Sequence, residues 1–226
     1  MNAAGDMDLA SVGALLAEPA RAKVLLALGD GRSLPASMLA AEAGVAPSTA
    51  SHHLARLVDG GLITAATRGR HRYFTLAGPQ VADLLEAVAR VAPAQPVRSL
   101  RQGTRAHALR YARRCYDHLA GRLGVALADA LQMQGVVETI DGGFVVTAPG
   151  ARRLGELGIA VRPGEAARAC VDWTEQRGHI AGTVGRALLT GVLDRGWLVR
   201  DDKTRALRLT DAGRDGLSAE LGVVLP

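Results

Sequence analysis

Cys115-Tyr116-Asp117-His118 and Cys170-Val171-Asp172-Trp173, the second followed by His179, bring both cysteines of the chain into similar settings, each with a histidine nearby. Two thiolates and two imidazoles are a donor set for a tetrahedral site, holding zinc or another thiophilic metal ion. The same thiols could instead serve as a redox or electrophile sensor. Cys115, His118, Cys170, Asp172 and His179 are therefore the candidate metal or thiol sensor. On a helix Cys115 and His118 would share a face, as would Glu175 and His179, although Gly178 argues for a break before His179. The spacing is a weak signature, because the second pair lies some fifty residues on, with eight residues between its members. Buried cysteine also serves simply as a small apolar residue, and Tyr116 and Trp173 could border a small organic ligand. Structural, metal, redox and small-molecule readings all stay open. Cys115 as nucleophile with His118 as base would make an enzyme, but no third orienting group is evident and P-loop, GxSxG, HExxH and GxGxxG motifs are absent.

A second set of residues could do recognition rather than catalysis. In the stretch 47–59, Ala50, Leu54, Leu57 and Val58 fall on one side of a helix. Ser48, Thr49, His52 and Arg56 fall on the other, with Ser51 and His53 at the flanks. Hydroxyls, imidazoles and a guanidinium there suit a helix lying in the major groove of double-stranded DNA, where Arg pairs with guanine. Arg68-Gly69-Arg70-His71-Arg72 then sets three guanidiniums on a tight turn that can lie along phosphates or the minor groove.

The elements that must position these groups can be read in order. Helices are expected over about 9–28, divided at Pro19, and over about 35–43, 47–59 and 79–91. Strands are expected over 62–67 and 71–76 around the Arg68-Gly69-Arg70 turn. Ala92-Pro93-Ala94-Gln95-Pro96 reads as linker, since two prolines three apart discourage a continuing helix. Beyond it, His118–Leu127 matches His179–Leu188 at an offset of 61, and Thr147–Gly150 matches Thr210–Gly213 at 63. Each copy reads as a helix, a glycine stop, two short strands (136–138 and 144–147; 198–200 and 206–210) and a second helix. The expected fold is mainly α with small β-hairpins (α+β): a winged helix-turn-helix over 1–91, a linker over 92–103, and a C-terminal sensor domain over 104–226. That domain comprises two duplicated winged-helix-like units, about 104–160 and 164–226.

With 226 residues, 48% apolar and 22% charged, the composition is that of a globular protein rather than a disordered or fibrous one. No run is long enough for a membrane helix, MNAAGDMDLA lacks a signal's basic end, and two cysteines do not make a disulfide framework, so a cytoplasmic protein is expected. The net charge of +5 is unevenly placed. Residues 92–122 carry Arg98, Arg101, Arg105, Arg110, Arg113, Arg114 and Arg122 against Asp117 alone, while 1–91 is neutral overall. Such a band suits a polyanion, or faces acidic surface elsewhere.

Glu18-Pro19-Ala20-Arg21, Ser48 to Leu57, Gly61-Leu62-Ile63, and Arg68-Gly69-Arg70 with Tyr73 and Leu76 stand in register over residues 9–91. Together they resemble the ArsR/SmtB repressors. The resemblance implies a homodimeric repressor that leaves an inverted-repeat operator when an effector binds. In that family the first helix and the helix after the wing make the dimer interface, here about 9–17 and 79–91, where Val81, Leu84, Leu85 and Val88 form an apolar stripe. Two departures matter. Ser37-Met38-Leu39-Ala40 stands where metal-sensing members carry Cys-x-Cys, and 79–91 has no histidine where others place ligands. Sensing by a small molecule or metal is therefore expected in the C-terminal half. A winged-helix protein-interaction module without DNA binding, or a Cys/His-dependent enzyme, is the alternative.

Overall fold

Asp8 starts the first helix by accepting a hydrogen bond from the Ser11 amide, in a computed structural model that describes residues 6–93, 96–202 and 204–226. The chain divides into two units, Met1–Leu85 and Glu86–Pro226. The division falls inside a helix, whereas the linker was expected over 92–103. Of that segment, 94 and 95 lie outside the described residues, and Leu100 already opens a helix.

The first unit runs α1 (Leu9–Leu16), α2 (Pro19–Ala27), β1 (Leu34–Pro35), α3 (Ala36–Ala43), α4 (Pro47–Asp59), β2 (Ile63–Arg68) and β3 (His71–Leu76), followed by α5 (Pro79–Val91), in which the division falls. Pro19 and Pro47 sit in the first turns of their helices, where a missing N–H costs nothing. Gly44, left-handed at φ 73°, ends α3 and turns the chain into α4. The three strands form an antiparallel sheet in the order β1-β3-β2, with Arg68 opposite His71 at the hairpin end. Val24, Leu25, Leu39, Leu54, Leu57, Ile63, Phe74 and Leu76 are buried in this unit. The sequence-based boundaries of α4 and α5 are those observed.

The second unit continues with α6 (Leu100–Tyr111), β4 (Arg113–Cys115), β5 (His118–Ala120), α7 (Arg122–Met133), β6 (Val137–Ile140), β7 (Gly143–Val146) and α8 (Ala148–Glu156). Then come β8 (Ala166–Val171), β9 (Gly178–Ala181), α9 (Gly182–Asp194), β10 (Leu198–Arg200), β11 (Leu207–Leu209) and α10 (Asp211–Leu221). From β4 to α8 and from β8 to α10 the order is the same: hairpin, helix, hairpin, helix. Thr147 and Thr210 cap the last helices of the two halves by accepting from Gly150 and Gly213 amides. A side chain at either glycine would be driven into backbone, at the Val136 carbonyl in one half and the Trp197 carbonyl in the other.

The hairpins are exchanged between the halves. β8–β9 extends β6–β7 into one four-stranded sheet, in the order β6-β7-β8-β9. On the other side, Arg113 bridges to Ala206, Arg114 N–H donates to the Arg205 carbonyl, and Leu207 N–H donates to the Ala112 carbonyl. β4 thereby lines up beside β11. One continuous core spans both halves, with Leu123, Leu131, Val146, Leu154, Val184, Leu188 and Leu217 in it.

Two sequence expectations are corrected here. The matched stretches beginning at His118 and His179 do not start as helix: 118–120 and 178–181 are strands, and α7 and α9 begin only after them. Arg113 does not belong to a solvent-facing basic band, since it is completely buried. Arg101, Arg105 and Arg110 are exposed on α6.

Candidate functional site

Two sites emerge, one in each unit. In the first, α4 buries Ala50, Leu54 and Leu57 and leaves Ser48, Thr49, Ser51, His52 and Arg56 exposed. Ser51 donates its hydroxyl hydrogen back to the Pro47 carbonyl at 2.9 Å. His53 stands half-buried at the flank, its Nδ1 enclosed. In the wing Arg68, Arg70 and Arg72 are all exposed. The guanidinium of Arg68 lies over the Tyr73 ring, 5.6 Å from its centroid, and that of Arg72 over Phe74 at 5.4 Å. Stacking of this kind steadies a long side chain while its N–H groups stay available. Arg70 sits at the tip beside Gly69, whose φ of 61° the turn requires.

In the second unit, Cys115 and His118 are cross-strand partners in β4–β5, and Cys170 and His179 are cross-strand partners in β8–β9. Pairing across a hairpin, rather than the helical face expected for Cys115 and His118, is what makes each couple neighbours. The first hairpin closes through Tyr116, left-handed at φ 53°, whose carbonyl accepts from Arg114 Nε at 2.8 Å. The second closes through the longer loop 172–177, shaped by Asp172: its Oδ1 accepts from the amides of Thr174 and Glu175 and from the Thr174 hydroxyl.

The two hairpins bring all four groups together. A thiol from each of Cys115 and Cys170 and a ring nitrogen from each of His118 and His179 lie within 4.8 Å of one another, and all four residues are buried. The Nε2 atoms of the two imidazoles are 3.1 Å apart. Asp172, read from sequence as part of this cluster, lies outside it. Its Oδ2 instead meets Arg113 at 2.8 Å and accepts the Gly121 amide at 2.7 Å. Arg113 in turn reaches Glu86 at 3.3 Å and stacks over Trp173. A residue that sequence reasoning missed is Asp117, which meets His118 Nδ1 at 3.2 Å and is held from its other oxygen by Arg186 Nε at 2.8 Å. Its place between Cys115 and His118 was the available signal.

The electrostatics follow from this packing. Burial works against a charged His118, yet its hydrogen bonds to Asp117 and Cys115 prevail and raise it to about 9. Burial and the neighbouring His118 push His179 down to about 3. The hydrogen bond with Cys170, and then burial, hold the Cys115 thiol well above its usual range. Asp172 is opposed by burial, but the Arg113 charge beside it brings it down to about 2. Two thiols and two imidazoles in this geometry suit a soft divalent cation far better than they suit nucleophilic catalysis, which needs an open approach to the sulfur.

Residues 16–65 match the family model described as a helix-turn-helix domain. The chain is 41% identical over 221 residues to an uncharacterized HTH-type transcriptional regulator, YdfF, of Bacillus subtilis (strain 168); the match covers 96% of this chain and 98% of that protein. It is 38% identical over 92 residues to the HTH-type transcriptional regulator CmtR of Mycobacterium tuberculosis (strain ATCC 25618 / H37Rv), covering 39% of this chain and 77% of CmtR. Among solved structures, a homodimeric winged helix-turn-helix DNA-binding domain from Mycobacterium bovis, described as a possible ArsR-family transcriptional regulator, is 33% identical. That likeness has a TM-score of 0.33 and covers 38% of this chain and 86% of that one.

Proposed function

This chain belongs to the helix-turn-helix transcriptional regulators of the ArsR family, DNA-binding proteins, and from that premise we propose that it acts as a cytoplasmic, homodimeric repressor. Two copies of α4 enter successive major grooves of an inverted-repeat operator, and an effector taken up by the second unit releases the DNA. Among the described residues no helix is long and apolar enough to cross a membrane.

The observation that carries this reading is the division of α4. Its apolar side is spent on the core, while Ser48, Thr49, Ser51, His52 and Arg56 face solvent next to a wing with three exposed arginines. Arg56 takes the base-reading role, with Ser48, Thr49, Ser51, His52 and His53 beside it, and Arg68, Arg70 and Arg72 take phosphates or the minor groove. Dimerisation is supported by apolar residues exposed on α1 and α5: Leu9 on the first, Val88 and Val91 on the second. The effector is a small molecule or a zinc or other thiophilic metal ion, the latter supported by the Cys115–His118–Cys170–His179 cluster.

The test is a titration of the purified chain onto its own upstream promoter and onto random duplex at fixed salt, with and without EDTA, zinc and a thiol oxidant. Preference for the promoter supports the repressor, and one additive that abolishes or restores it identifies the effector chemistry. Equal affinity for random duplex would replace this reading with a winged-helix protein-interaction module.

A further inference from the structure

The second unit has a cluster whose chemistry points past DNA recognition. Cys115, His118, Cys170 and His179 are 2%, 2%, 7% and 0% exposed. Two imidazoles, whose ring nitrogens water would solvate well, have been taken into the interior beside two thiols, and those nitrogens need partners there. What they find is mainly one another. Among the described residues His179 Nδ1 has no hydrogen-bond partner, and the two Nε2 atoms face each other at 3.1 Å. Two nitrogens bound to one tetrahedral zinc, at ~2.0–2.1 Å each, lie about 3.3 Å apart, close to the separation already present. A purely apolar joint between the halves would not place four ligating atoms at one point.

We propose that these four residues form a single closed, four-coordinate site for a soft divalent cation of the zinc class. Each half of the second unit contributes one cross-strand Cys–His pair. Two thiolates balance the charge of a divalent ion, so the site is neutral once loaded. With all four positions taken by buried protein ligands there is no coordination position left for a substrate, which marks the site as structural or sensory. The proposal deepens the effector part of the proposed function and rests on that reading only for the link to DNA release.

The surroundings of the cluster are those of ligands held in place from behind. Asp117 accepts from His118 Nδ1, which leaves Nε2 for the metal, and Arg186 of α9 holds Asp117. Asp172, outside the cluster, ties Arg113 and the Gly121 amide of the first half to the loop beside Cys170. Each aspartate stands two residues after its cysteine and reaches into the opposite half. Loading with metal therefore fastens β4–β5 to β8–β9 at the point where these two cross-links already converge. Asp117 is a positioning residue here, acting through His118.

The experiment uses the full chain, prepared reduced, stripped with a chelator and titrated with Zn²⁺ and with Co²⁺. The expected result is one ion per chain, with the intense visible bands of tetrahedral cobalt and thiolate-to-cobalt charge-transfer absorption. Both signals are expected to vanish in Cys115→Ser and in Cys170→Ser. Because either variant could fail to fold, Asp117→Asn provides the second measurement. It keeps all four ligands, so stoichiometry stays at one and the tetrahedral cobalt spectrum persists, while affinity falls by about 10–100-fold. Sub-stoichiometric binding, a pale octahedral cobalt spectrum, unchanged binding without Cys115 and Cys170, or a Cys115–Cys170 disulfide in a chain that binds no cobalt would each overturn the site. If one ion binds tetrahedrally but operator affinity is the same with and without it, the site stands and its role as effector falls.

Discussion

Arg113 and Asp172 form an ion pair 2.8 Å long with both side chains completely buried, one from each half of the second unit. The guanidinium is further shared with Glu86 and laid over Trp173, and the carboxylate is shared with the Gly121 amide. Gly121, at φ 83°, meets the Arg110 and Tyr111 carbonyls where a side chain would stand, so backbone and ion pair are packed as one piece.

Removing Asp172 takes away the shorter of the two ion pairs of the buried Arg113 and leaves its guanidinium to the longer Glu86 contact at 3.3 Å. Asp172→Ala is therefore expected to lower the stability of the chain by about 3–5 kcal/mol, read as a fall in thermal midpoint. Because the carboxylate lies outside the Cys/His cluster, Asp172→Asn is expected to retain one metal ion per chain while losing stability. Loss of the ion from a folded Asp172→Asn chain would return Asp172 to the ligand set.

In the winged helix, arginines of different position are expected to behave differently. Arg56→Ala should cost about 1–3 kcal/mol on the operator and relax base preference at one position of each half-site. Arg70→Ala should weaken operator and random duplex alike and reduce the salt slope by about one. Filter binding or fluorescence anisotropy over a salt series separates the two. Wild-type affinity and selectivity in Arg56→Ala would remove α4 from the groove.

Gly150 and Gly213 make matching demands on the two halves. Alanine at either is expected to destabilise by about 1–3 kcal/mol, because the obstacle is backbone at Val136 or Trp197 and not a side chain that can swing away. Chemical denaturation of both single variants checks this, and an unchanged midpoint in either would show that the helix can shift away from the hairpin.

The apolar residues left exposed on α1 and α5 give a test of assembly. Val88→Asp, changing a valine 40% exposed, is expected to leave the fold intact and shift the chain from dimer toward monomer in sedimentation. Operator affinity should fall with it, since one α4 reads only half of an inverted repeat. A monomeric wild-type chain would overturn the dimer, and a Val88→Asp dimer of unchanged affinity would place the interface elsewhere.

Much of the first unit was legible in its residues. The apolar spacing of Ala50, Leu54 and Leu57, with Pro47 before and Gly60-Gly61 after, fixes α4 locally, because a helix repeats over few residues and is stopped by residues with known backbone preferences. The wing followed for the same reason, two short runs around Arg-Gly-Arg. The recurrence of His-x-Ala-Gly at an offset of 61 likewise pointed to the pair of histidines.

What the sequence by itself determined, then, was the helix α4, the hairpin that follows it, and which thiols and imidazoles were worth watching. Tertiary structure alone decided how those four meet. His118–Ala120 and His179–Ala181 are too short to show a period, and they are strands because each pairs with a strand carrying the cysteine. Nine positions separate Cys170 from His179, a distance with no meaning along the chain until Asp172 folds the intervening loop and the ladder sets them opposite each other. The exchange of hairpins between halves depends on pairings such as Gly143 with Arg168 and Arg113 with Ala206, too far apart in sequence for any local pattern to specify, and such contacts are chosen by burial and register.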